Sequence, residues 1–124
     1  TRKSKKIMGI NSTEVSYQFG QLGSVYTTAS SDAIVPPTNK VFVAITMLGD
    51  TVFDSSSGLV STEPTKYINT ETAANDLGAG SETTDQGSGG QVVDSVSFPL
   101  GVTIYGRWNE IDVNSGSIIA YIGD

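Results

Sequence analysis

The run KVFVAITML (40–48) sets the tightest limit on how this chain folds. After Lys40, Thr46 is its only polar residue. A run this short and this apolar predicts a strand covered on both faces, either in the middle of a sandwich or at a subunit contact. It falls well short of the roughly 18 apolar residues that a membrane span requires, and no other run in the chain reaches that length.

The rest of the chain points the same way. Thr, Ser, Gly, Val and Ile dominate, and Gly or Pro interrupts each would-be helical pattern. β-Branched and aromatic runs between turn residues predict short strands. EVSYQF (14–19) and SVYTTA (24–29), joined by GQLG, read as a first hairpin. VPPTN (35–39) is a break, because two prolines cannot both sit in a central ladder. TVFD (51–54), LVST (59–62), TKYIN (65–69) and QVVDSVSF (91–98) read as further strands. ETAANDLG (71–78) is the one candidate for a short helix, closed by Gly78. GAGSETTDQGSGG (78–90) buries little and reads as a long surface loop. The total is roughly eight to ten short strands without an internal repeat, which predicts an all-β, antiparallel β-sandwich or jelly-roll-like single domain.

The closing segment GVTIYGRWNEIDVNSGSIIAYIGD (101–124) is the most strongly patterned. VNSGS (113–117) reads as a hairpin loop with Gly116 in the left-handed position. On the incoming strand, Val102 and Ile104 share one face, and Thr103, Tyr105 and Arg107 the other. After Gly106 the parity changes, with Ile111 and Val113 on the apolar face and Trp108, Glu110 and Asp112 opposite. This places a bulge or bend at Gly106. On the return strand both Ile118/Ala120/Ile122 and Ile119/Tyr121 are apolar, so the last strand is expected to be interior.

Composition prunes the function classes. With no Cys and no His, there are no disulfides, thiolate metal sites, Ser-His-Asp triads or imidazole bases. Four of the seven basic residues, Arg2, Lys3, Lys5 and Lys6, fall in the first six positions; the rest of the chain carries 3 basic against 13 acidic residues. The division expected is a basic N-terminal arm (1–10) and a β-sandwich domain (11–124), the arm either meeting an acidic partner or being a solvated, disordered terminus. The acidic body is a poor match for nucleic acid, since phosphates call for positive charge. No membrane segment and no cleaved export signal are expected.

Three groups of residues carry possible chemistry. Glu110 and Asp112, two apart on a strand, would hold their carboxyls roughly 6–7 Å apart, near the spacing of an inverting glycosidase pair, with Trp108 beside them to stack a sugar. The alternative is ordinary charge on a solvent-facing strand edge. Asp50, Asp54, Asp76, Glu82 and Asp85 line acidic loops, but their spacing does not fit a calcium loop. Arg107 is either an interface residue beside aromatics or the ion-pair partner of Glu110 or Asp112. No cofactor and no metal are expected.

FPLGVTIYGRWNEIDVNSGSIIAYIG (98–123) resembles the C-terminal segment of small virion structural proteins of tailed bacteriophages, many from marine and cyanobacterial hosts. KVFVAITMLGDTVFD (40–54) followed by GLV is similar to the same proteins, so the likeness covers about half of the chain. It implies a particle component without enzymatic activity. The expectation is a capsid decoration, or cement, protein on the outer surface of the virion head, bound to the major capsid protein and assembled as a homo-oligomer, a trimer. The arm residues Arg2, Lys3, Lys5 and Lys6 would contact the capsid. Val41, Phe42, Val43, Tyr105, Arg107 and Trp108 are the interface candidates. A tail, baseplate or fibre domain binding a host glycan through the 71–90 loop and Trp108 is the alternative; a carboxylate glycan hydrolase is a third.

Overall fold

The computed structural model describes residues 21–71, 86 and 90–124. Over these residues the chain is an all-β domain of seven strands: β1 Ser24–Thr28, β2 Val41–Met47, β3 Val52–Phe53, β4 Leu59–Ser61, β5 Thr103–Ile111, β6 Val113–Ser115 and β7 Ser117–Gly123. Five form an antiparallel sheet in the order β1-β7-β2-β5-β4, and β3 pairs with β6 in a small second sheet. The expected strand 14–19, the helical turn 72–78 and most of the loop 78–90 lie outside the described residues.

The apolar run is interior, as its composition requires. β2 sits between β7 and β5, and Phe42, Ile45 and Met47 are buried in the core. β7 is also interior, flanked by β1 and β2. Its two apolar faces divide as expected: Ile118, Ala120 and Ile122 join the core, while Ile119 and Tyr121 are half-buried on the other face. Phe53 of β3 and Val113 of β6 close the same core, and Phe53 meets Phe98 edge-on with ring centroids 5.7 Å apart.

Four expectations are corrected. The 113–117 segment is not the loop of a hairpin. β5 and β7 both run antiparallel to β2 and lie on either side of it. They are therefore parallel to each other, and residues 112–116 form a crossover in which β6 pairs with β3. Gly116 does take a positive φ of 97°, but it turns the chain from one sheet into the other.

The second correction concerns Gly106 and Trp108. The register of β5 against β2 is irregular beside Gly106, where Ala44 faces Tyr105 and Phe42 faces Trp108. Yet the buried face does not switch there. Gly106 and Trp108 stay on one face, and a Cβ at Gly106 would lie 2.6 Å from the indole. The switch comes at Asn109: Ser61 faces Trp108 while Val60 faces Glu110, so β5 carries one extra residue against β4. That bulge lets Trp108 and Ile111, three apart, both point into the core. Trp108 is fully buried, and its Nε1–H donates to the Ile68 carbonyl at 2.8 Å.

Residues 65–69 and 91–98 are the other two corrections, since neither forms a strand. Around Pro64 the chain closes a turn in which the Lys66 and Tyr67 amides donate to the Glu63 carbonyl. Buried Asn69 then fixes the exit: its side-chain amide donates to the Pro64 and Tyr67 carbonyls, and its carbonyl oxygen accepts from the Glu71 amide. An Asn that satisfies three backbone groups competes with a ladder. In 91–98 a turn at 94–95 breaks the run, and only Phe98 bridges, to Thr51.

Candidate interaction surface

The face of the five-stranded sheet opposite the core follows from the register. One row across it runs Tyr26, Ile119, Thr46, Thr103; the next runs Ser24, Tyr121, Ala44, Tyr105. Neither row contains a charge. Tyr26 and Tyr105 are the most open, at 63% and 64% exposure. The Thr46 and Thr103 hydroxyls share a hydrogen bond of 2.8 Å between neighbouring strands. Rigid aromatic rings with a polar tip, on a braced uncharged sheet, are the side chains that protein interfaces favour.

Charge gathers at one end of this face. Arg107 Nη2 donates to the Asp124 carbonyl at 3.0 Å, and Lys40 pairs with the Asp124 carboxylate at 2.5 Å. Arg107 is thus held by Asp124, the residue that follows β7. Neither Glu110 nor Asp112 takes part in an ion pair among the described residues, where Lys40–Asp124 and Lys66–Glu63 are the two present.

The interface candidates separate by burial. Tyr105 and Arg107 lie on the outer face, and half-buried Val43 lies against Gly123. Phe42 and Trp108 are fully buried, and Val41 is 8% exposed. These three are core residues and offer a partner almost nothing, which corrects their assignment to an interface. Arg2, Lys3, Lys5 and Lys6 lie outside the described residues. Tyr26 was missed as a candidate, although the alternation in SVYTT places it opposite the core-facing pair Val25 and Thr27. Leu100 is also exposed, at 65%.

The catalytic readings lose their geometry. Trp108 is in the core and cannot stack a sugar beside Glu110. Asp112 lies between β5 and β6, where its amide donates to the Gly58 carbonyl and its carbonyl accepts from the Asp54 amide. The described acidic loop residues have local roles: Asp50 accepts from the Leu100 amide, and Asp54 accepts from the Ser56 amide and hydroxyl. Among the described residues no three His, Cys, Asp or Glu side chains gather as a metal site, and no helix is long and apolar enough to cross a membrane. Comparison with known proteins finds no matching family model, no similar curated protein and no similar solved structure.

Proposed function

We propose that this chain is a structural component of a phage particle that decorates the head, binding at capsomer junctions and stabilising the shell. The observation that carries this reading is where the resemblance falls. The 98–123 block that is similar to virion structural proteins builds β5, β6 and β7, which supply Trp108, Ile111, Val113, Ile118, Ala120 and Ile122 to the core. The likeness therefore lies in the part that makes the fold. The outer sheet face supports adhesion rather than catalysis. Each copy bound to the assembled shell but not to its dissociated parts shifts the equilibrium toward the shell by mass action. Long-range attraction between the basic arm and an acidic shell surface would speed capture.

Purified mature heads of the phage that encodes the chain provide the test. Recombinant protein is expected to bind them saturably and to raise the temperature at which they rupture. Deleting residues 1–6 should weaken binding roughly tenfold and flatten its salt dependence. Protein that ignores heads but binds host cells would instead favour the second reading, a tail or fibre domain on a host glycan. That reading has one observation behind it: the exposed rings of Tyr26 and Tyr105 are able to stack on a sugar.

A further inference from the structure

We propose that residues 12–20 lie as a helical strap in the trough over β7 and β2, so that the chain covers its own outer sheet face.

The trough follows from the register. Its floor is Ile119 and Tyr121 of β7 with Ala44 and Thr46 of β2, and Tyr26 of β1 and Tyr105 of β5 stand on either side. Ala44 is only 1% exposed although it faces away from the core, and Ile119, Tyr121 and Thr46 are half-buried. The rings at the sides are far more open. Burial deepest along the middle and least at the margins is the pattern of a contact with a covered centre and a wet rim. Tyr121 and Tyr105, either side of Ala44, are both engaged.

The chain itself arrives at this trough. The Gly23 carbonyl accepts from the Ile122 amide of β7. Gln21 is helical, and Gly23 follows at a φ of 110°. A glycine of positive φ just past a helical residue is a common helix end. The chain therefore comes to β1 from a helix and not along a ladder at its edge. Continued back from Gln21, that helix sets Val15, Phe19 and Leu22, spaced four and three apart, on one face. The lengths match as well. β1 has five residues, about 17 Å at about 3.4 Å each, and helical residues 12–21 span about 15 Å at about 1.5 Å each.

Charge and position select this segment. Residues 12–22 carry one charge, Glu14, and the two rows of the face carry none. Residues 72–85 carry Asp76, Glu82 and Asp85, with Leu77 as their one large apolar side chain. They are rooted elsewhere: Ile68 packs on the core side, and the Thr70 amide donates to the Leu59 carbonyl of β4, at the far edge of the sheet. A helix antiparallel to β1 also carries Arg2, Lys3, Lys5 and Lys6 toward the Thr28 end. Lys40 and Arg107 gather around Asp124 at the other end, so like charges stay apart. A partner then meets the Tyr26 and Tyr105 margins, not the whole face.

Nuclear Overhauser contacts in the full chain test the strap. The Val15 and Phe19 side chains are expected to touch Ala44, Ile119 and Tyr121. Phe19→Asp sets an unpaired charge against the apolar floor and should release the strap, making nitration of Tyr121, read by mass spectrometry, roughly fivefold faster than in the wild type. If that variant does not fold, the wild-type contacts decide alone. Absence of contacts from Val15 and Phe19 to the floor overturns the proposal. So does a ladder of residues 14–19 on the edge of β1, seen as cross-strand contacts to Ser24, Tyr26 and Thr28. A folded Phe19→Asp protein whose Tyr121 reacts as in the wild type overturns it too, as do contacts found only between differently labelled copies in a mixture, which would give the trough to a second molecule. The readout uses no heads, so it holds or fails independently of the decoration reading.

Discussion

Trp108→Ala is expected to lower the stability of the fold by about 3–5 kcal/mol, a large part of what a domain this size possesses. The indole is fully buried and sits level with Phe42 on β2 and Ser61 on β4. Its removal opens a cavity at the centre of the sheet and leaves the Ile68 carbonyl without its donor. Trp108→Phe separates the two effects: most of the volume stays, and the lost hydrogen bond alone should cost about 1–3 kcal/mol. Gly106 adds a sharper check. A methyl group there would lie 2.6 Å from the indole, so Gly106→Ala should destabilise the wild type and be milder in the Trp108→Ala background. Urea denaturation of the four members of that cycle gives the coupling directly. Strictly additive effects would mean that the indole does not lie over Gly106.

Gly116→Ala should cost about 2–4 kcal/mol, for two separate reasons. The residue sits at φ 97°, where a side chain is strained. Its Cβ would also meet the Asp50 carbonyl oxygen and lie 2.6 Å from Thr51 Oγ1. Thr51 is held in place, because its hydroxyl donates toward the Gly49 and Ser117 carbonyls and its backbone exchanges two bonds with Phe98. The neighbours therefore cannot yield cheaply. Gly49→Ala, in the same corner but with nothing within 4 Å of the new methyl, should stay within about 0.5 kcal/mol of wild type. Thermal melts of the pair test this, and equal losses would place the strain elsewhere.

Much of the fold was legible because β2 and β7 state their burial in their composition. A run with apolar residues on both parities has to be interior, and both strands are. The 113–117 turn was misread because sequence shows that the chain reverses there but not which strand receives it. A hairpin and a crossover through a second sheet use the same Asn-Ser-Gly turn chemistry. Trp108 was misplaced for a related reason. Period-2 counting detects that parity changes between Ile104 and Ile111, but one extra residue anywhere between them has the same signature. The bulge expected at Gly106 is there, in the register against β2; the change of buried face comes instead from a second extra residue, Asn109, against β4. Residues 65–69 carry strand-like side chains, yet Asn69 uses its own amide to satisfy the backbone and stops a ladder from forming. Of the interaction surface, Tyr105 and Arg107 were legible from alternation after Ile104. Tyr26 was equally legible and was passed over for want of a charged or aromatic neighbour in sequence; the aromatic neighbours on that face come from β5 and β7.

Cryo-electron microscopy of the phage particle proposed to carry this chain tests the decoration proposal most directly. The account predicts β-domain density repeated over the head lattice at capsomer junctions, in copy number comparable to the capsomers. Density confined to the tail, the baseplate or a fibre tip, with a bare head surface, would contradict it.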